Sequence, residues 1–168
     1  HAGFTKGAVY YYFSDKESLL IEVLKRVEQR SIDTTIATLK NTTGSARRML
    51  ETFVKCQTRW AGLHPGDLAV MMLVSVEAPY TSPMVRTQVQ RIYGKLASVL
   101  EEIIEAGKKS REFSTEEETR DTVLYLQAVH DGNMMIWYRS GTDPEIGRRL
   151  TRATLTGFLH AVMPTLHR

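Results

Sequence analysis

Between Pro83 and Gly107 the apolar residues Val85, Val89, Ile92, Leu96, Val99, Leu100, Ile103 and Ile104 recur at spacings of three and four. That period lines one face of an α-helix and excludes the two-residue alternation of a strand. The same rhythm governs most of the chain. Leu19, Leu20, Val23, Leu24 and Val27 repeat in this way, and after Ser45 so do Met49, Leu50, Phe53, Cys56 and Trp60. Glycine and proline fall mainly between the periodic segments, at Gly44, Pro65-Gly66, Pro79, Pro83, Gly107 and Gly141 with Pro144, where they punctuate helices. No segment shows sustained alternation bounded by hairpin turns. The expected class is therefore all-α, a helical bundle.

Capping chemistry places the helix starts. Ser14-Asp15-Lys16-Glu17 fits a capping box, with the serine hydroxyl on a first-turn amide and the glutamate reaching back to the cap amide; a long helix is predicted from about residue 15 to 40. Ser45 opens the next, which breaks at His64-Pro65-Gly66. Asp67 or a neighbour starts a shorter one to about Val76. Ser82-Pro83 and Asp143-Pro144 each put a capping side chain before a proline in the first turn, where its missing amide costs nothing. Thr115-Glu116-Glu117-Glu118 reads as a second capping box and predicts a helix from Glu116 to Ser140, roughly 36 Å long. The last helix is predicted from Pro144 to Val162.

At 168 residues, 42% hydrophobic and 24% charged, the chain is long and apolar enough for one globular domain with a real core, and disordered or fibrous classes are excluded. No stretch reaches the roughly 18 to 20 apolar residues of a membrane span. The start, His1-Ala2-Gly3-Phe4-Thr5-Lys6, lacks the apolar core of a signal peptide. No membrane partner is expected, and the cytoplasm is the default location. The single cysteine, Cys56, excludes an internal disulfide framework and a multi-cysteine metal site. A net charge of +3 is too mild to mark a nucleic-acid binder by itself, because that requires a concentrated basic patch. The chain opens with His1 rather than Met, and its first residues already read as the interior of a folded unit. The expectation is that further helices precede Gly3.

The stretch Ala2-Gly3-Phe4-Thr5-Lys6-Gly7-Ala8-Val9-Tyr10-Tyr11-Tyr12-Phe13-Ser14-Asp15-Lys16-Glu17-Ser18-Leu19-Leu20 carries the functional signal. A helix laid in the major groove needs small side chains for close approach and short polar ones for base edges, with Lys, Tyr and Thr at its flanks for phosphates. Thr5, Lys6, Gly7 and Ala8 supply the first surface. Tyr10, Tyr11 and Lys16 supply the second, and Lys16 sits in a first turn whose free amides also favour a phosphate. Without context, an aromatic run of this kind is more often the core of a small subdomain than a DNA surface. The register of the aromatic run, the small turn and Lys16-Glu17-Ser18-Leu19-Leu20 resembles the tetracycline-repressor (TetR) family, in which such a stretch forms the second helix of a helix-turn-helix and the start of the next helix. The resemblance implies phosphate contacts from Thr5, Tyr10, Tyr11 and Lys16, with Lys6, Ala8 and Tyr12 nearest the bases and Val9 and Phe13 in the core. It also implies that residues 1–18 end a DNA-binding domain and that residues 19–168 form a ligand-binding and dimerisation domain.

Enzyme chemistry finds no support. His64, His130, His160 and His167 are scattered, and the chain has no HExxH, GxSxG or phosphate-cradling glycine loop, so no catalytic residue, metal or cofactor is expected. Adjacent His130 and Asp131 would point about 100° apart on a helix. A ligand pocket suits the C-terminal part better. Met71, Met72, Met134 and Met135 add flexible thioethers to Trp60, Tyr93 and Trp137, a mixture suited to an adaptable apolar cavity. Val123, Leu126, His130, Asn133 and Trp137 share a helix face that is too polar for plain core. The expected ligand-binding set is Trp60, Met72, Ser75, Tyr93, His130, Asn133, Met134 and Trp137. Two stripes of small or apolar residues remain, Tyr125, Ala128, Gly132 and Ile136 on one helix and Leu150, Ala153, Gly157 and Ala161 on the last. Glycine inside a helix costs up to about 1 kcal/mol relative to alanine, so its recurrence at this spacing points to close helix approach. Packing within the chain would explain the stripes as well as a four-helix dimer interface would, and the family resemblance favours the dimer.

The combined expectation is a one-component transcriptional regulator, usually a repressor, that binds operator DNA as a homodimer and is released by a small apolar or amphipathic effector. The competing expectation is a stand-alone helical small-molecule binding protein without DNA binding.

Overall fold

The computed structural model describes residues 15–77, 80 and 82–163, and among them there is no strand. Helix α1 spans Lys16–Glu28 and passes through a π-helical turn, Gln29–Asp33, into α2, Thr34–Lys40. There follow α3 (Ala46–Leu63), α4 (Pro65–Glu77), α5 (Pro83–Ser110), α6 (Thr119–Arg139) and α7 (Pro144–Val162). Helix α3 packs against α2, α5 and α7, while α6 lies between α5 and α7. The fully buried side chains Leu24, Leu50, Phe53, Leu100, Ile104, Leu126 and Phe158 come from α1, α3, α5, α6 and α7, so these helices share one core. No helix among the described residues is long and apolar enough to cross a membrane.

Several helix starts are those the sequence predicts. Ser45 accepts from the Arg48 amide, Ser82 from Val85, and Asp143 from Glu145 and Ile146. Others differ. The cap of α1 is Asp15, which accepts from the Ser18 amide while the Ser18 hydroxyl turns back toward the cap backbone. The box is therefore Asp15/Ser18, one residue later than expected, since a carboxylate at the cap serves the first-turn amides as well as a hydroxyl does. Helix α6 begins at Thr119 rather than Glu116: Thr115 accepts from the Glu117 amide, 3.3 Å away, and this local turn competes with helix. Helix α4 begins at Pro65, directly after the break at His64.

The π-helical turn has a legible cause. The Thr34 amide reaches the carbonyl of Gln29, five residues back, and the Thr34 hydroxyl donates to the same carbonyl. Ser31 donates to Val27 O at 2.7 Å and Thr35 to Ser31 O at 2.8 Å. Hydroxyls bonded back to the preceding turn load its carbonyls and bend or widen a helix.

Helix α5 runs to Ser110, three residues past the predicted stop at Gly107. Gly107 lies inside it because a Cβ there would run into the Phe113 ring. That close approach holds the α5–α6 connection over the core. Glu112 in the connection then caps a different helix, its two carboxylate oxygens accepting from the Ala46 and Arg47 amides at 3.1 and 3.2 Å. Burial pushes this carboxyl upward, but the hydrogen bonds from Ala46, Arg47, Ser110 and Ser45 outweigh it, and the net shift is below the ordinary glutamate range. A carboxyl with a depressed folded pKa stabilises the fold above its unfolded pKa, and that contribution disappears as pH falls through the folded value. Glu112→Ala should thus cost about 1 kcal/mol at neutral pH, the scale of a lost helix cap, in a denaturant titration. The gap between wild type and variant should close as pH drops below the normal range of a glutamate.

Candidate functional site

A cavity of about 170 Å³ lies where the π-helical turn meets α3, α4, α5 and α6. Ser31 and Ile32 come to it from the π-helical turn, Gln57 and Trp60 from α3, Met71, Met72 and Ser75 from α4, Tyr93 from α5, and His130, Asp131, Met134 and Met135 from α6.

Its polar groups are few and specific. Ser75 Oγ lies 2.6 Å from Met71 O and 3.1 Å from the Tyr93 hydroxyl, and its O–H can donate to either oxygen. Burial raises the Tyr93 pKa, the nearby Asp131 charge raises it further, and the Ser75 hydrogen bond opposes them. Gln57, fully buried, donates to Thr35 Oγ1 at 2.9 Å. His130 packs its ring on Phe53, centroids 6.2 Å apart, and sets Nδ1 3.2 Å from Asp131 Oδ1. That carboxylate calls for a proton on Nδ1, which leaves Nε2 as a bare acceptor in the neutral ring. His130 Nε2 and Trp60 Nε1 are buried nitrogens without a hydrogen-bond partner among the described residues. A buried donor or acceptor left unmade costs about 1 to 3 kcal/mol, and both atoms belong to residues that line the cavity.

Six of the eight residues expected to bind a ligand line this cavity: Trp60, Met72, Ser75, Tyr93, His130 and Met134. Asn133 and Trp137 do not. Asn133 faces α7 and donates to Thr154 Oγ1 at 2.7 Å, and Trp137 Nε1 donates to Asp143 O at 3.0 Å with its ring against Gly147. These two line a second, open cleft of about 700 Å³ between α3, α6 and α7, together with Lys55, Arg59, Arg148 and Arg152. Met134 is the one residue lining both spaces. The stretch from His130 to Trp137 thus turns its polar side chains in two directions. Sequence reasoning missed Ser31 and Ile32, whose only signal is the run of hydroxyls Ser31, Thr34, Thr35 and Thr38, and Arg148 with Arg152, four apart on one face of α7.

The small-residue stripes are on the surface. Tyr125 is 53% and Ile136 46% exposed, and Ala128, Gly132 and Ala153 are exposed or half-buried with them. Leu150, Gly157 and Ala161 are half-buried. An added Cβ at Gly132 or Gly157 would meet nothing within 4 Å, so packing within this chain does not explain either glycine. Of the residues expected to touch DNA, Thr5, Lys6, Gly7, Ala8, Tyr10, Tyr11 and Tyr12 lie outside the described residues, whereas Lys16 stands exposed in the first turn of α1. Among the described residues no group of three or more His, Cys, Asp or Glu side chains could hold a metal ion.

Residues 1–23 match the family model of bacterial regulatory proteins, tetR family. The fold aligns with the MbdR regulator from Azoarcus sp. CIB at a TM-score of 0.82 and 23% identity, over 94% of this chain and 83% of that one. It aligns with the TetR-family transcriptional regulator PfmR from Thermus thermophilus at 0.79 and 18%, over 99% and 85%. The chain has the signature and the fold of the tetR family. The transcriptional regulator FadR from Bacillus subtilis, solved in complex with stearoyl-CoA, aligns at 0.75 and 19% identity over 95% of this chain and 83% of FadR. No curated protein matches the sequence. The matched segment ends within α1, and that helix leads through the π-helical turn to the cavity wall.

A raised phenol pKa destabilises the folded state only where the unfolded phenol ionises, so stability should fall as pH climbs past the ordinary value of 10.0. Tyr93→Phe removes that ionisation. In thermal melts the variant should lose less stability than wild type above pH 10.0, and an identical alkaline decline in both would show that Tyr93 does not sense its burial.

Proposed function

We propose that this chain is a one-component transcriptional regulator of the repressor type, which binds operator DNA as a homodimer and lets go when a small amphipathic effector occupies the cavity beside the π-helical turn. The observation that carries the reading is the pair of unpartnered buried nitrogens, Trp60 Nε1 and His130 Nε2, in two residues that line a mostly apolar cavity. Trp60 Nε1–H can only donate, and His130 Nε2 in its neutral form can only accept. A hydroxyl does both at once. Apolar cavities of about 150 Å³ take up benzene, so the matching guest for this space is a monocyclic phenol.

The mechanism is linkage between two sites. A guest that prefers one arrangement of Ser31 and Ile32 shifts the population of that arrangement. Those residues continue directly into α1, whose first turn carries Lys16. DNA half-sites one helical turn apart tolerate little change in the separation of two recognition helices, so a small shift of α1 suffices to release the operator. Phenol-class compounds should raise the melting temperature, by an amount near 2.7 kcal/mol of stability at a hundred times the dissociation constant, and should weaken salt-dependent binding of the full-length protein to its promoter. Met72→Trp, which fills the cavity, should abolish both effects while DNA binding persists. Release of DNA by phenols in that variant would remove the cavity from the mechanism.

For the dimer, the exposed stripes on α6 and α7 are the supporting surface, as two such helices from each chain make a four-helix interface. The Cβ added by Gly157→Leu would meet nothing within 4 Å of its own chain. With open space at the Cβ, the variant should keep its melting behaviour as a folded protomer and yet sediment as a monomer at micromolar concentration. A dimer unchanged by the substitution would place the interface elsewhere.

A further inference from the structure

We infer that the cavity and the basic cleft are two ends of one binding site, divided by the Met134 side chain, and that its ligand is a hydroxyaryl carboxylate whose ring and hydroxyl occupy the cavity and whose carboxylate lies in the cleft. This rests on the cavity reading above and goes beyond it by assigning the charge of the effector and the residues that meet that charge.

Three observations carry the inference. Met134 is the one residue that lines both spaces, and a methionine, with three rotatable bonds and no branch, is the side chain best able to swing out of the way without disturbing its helix. Second, the two ends differ in chemistry. The inner end is lined by Trp60 and His130, whose Nε1 and Nε2 are buried without a partner among the described residues, a donor and an acceptor that a hydroxyl reaching them would satisfy. The outer end offers Lys55, Arg59, Arg148 and Arg152, and no carboxylate lines it among the described residues. Third, part of that positive charge is uncommitted. Arg148 is paired with Glu145 at 2.6 Å, and Lys55 reaches Glu51 at 4.0 Å. Arg59 and Arg152 make no ion pair among the described residues. The Arg148 hydrogen bond, with Arg152 and Arg149 adding to it, holds the exposed Glu145 carboxyl below its ordinary range. Arginine forks match a carboxylate in bidentate geometry. Trp137 and Pro144 supply apolar wall between the charged groups, which suits the short linker joining ring to acid.

The test is calorimetric titration of the whole chain with four probes: phenol, 3-(4-hydroxyphenyl)propanoate, its methyl ester, and 3-phenylpropanoate, which lacks the hydroxyl. The hydroxyaryl acid should bind at least tenfold more tightly than phenol, than the ester and than the acid without the hydroxyl. In the double variant Arg59→Gln, Arg152→Gln, its advantage over the ester should vanish while the affinity for phenol is unchanged. Equal affinity of acid and ester for wild type would overturn the two-ended site and leave the cavity reading standing. So would an advantage for the acid that survives the double substitution. If neither phenol nor the acid binds, the cavity reading falls and the present inference with it.

Discussion

A buried carboxylate fixes the helix on which everything else in this fold depends. Glu28 is 3% exposed and sits at the last α-helical residue before the π-helical turn. One of its oxygens accepts from Gln88 Nε2 at 2.7 Å, and the other faces Arg91 at 3.3 Å and the Lys95 ammonium. Lys95 also reaches Asp33 at 2.9 Å, on the far side of the turn, and its pKa is raised by the hydrogen bonds to Glu28 and then Asp33. A buried ion cluster adds little net stability when complete, but breaking it is costly because an uncompensated charge remains inside. Its consequence here is positional. The π-helical turn is clamped to α5 at both ends, Glu28 and Asp33, while its middle, Ser31 and Ile32, forms a cavity wall.

That arrangement gives a small guest leverage. A π-helical turn carries one residue more than the α-helix it interrupts, and the two forms differ in how the flanking helix is rotated. Hydroxyl back-bonds from Ser31, Thr34 and Thr35 hold the wide form. A ligand that presses on Ser31 and Ile32 acts at the least regular point of the connection between the cavity and α1.

How much of this could be read from the sequence follows from the physics of each signal. Apolar residues at three and four, with serine or aspartate before proline, are local and additive, so the helices opened by Ser45, Ser82 and Asp143 begin where expected. The box at residue 15 slipped by one residue because Ser14 and Asp15 are both good caps and the choice depends on neighbours. The start of α6 moved because the Thr115 hydroxyl found a closer amide. The pocket was partly legible: bulky flexible side chains at periodic positions marked Trp60, Met72, Tyr93 and His130. The division between His130 and Asn133 was not, since residues three apart on one helix straddle two neighbours once α3 and α7 pack on either side. Glu112 capping α3 from another connection is a contact between distant parts of the chain, and no local pattern announces it.

The account turns on where a guest sits, and the two tryptophans of the chain report on that separately. Trp60 Nε1 lacks a partner among the described residues beside the cavity, while Trp137 Nε1 is already bonded to Asp143 O beside the cleft. In a nitrogen–proton correlation spectrum, with the two indole signals assigned by Trp60→Phe, titration with phenol should move the Trp60 signal downfield as its N–H gains an acceptor and leave Trp137 in place. A Trp137 signal that moves while Trp60 stays fixed would contradict the account.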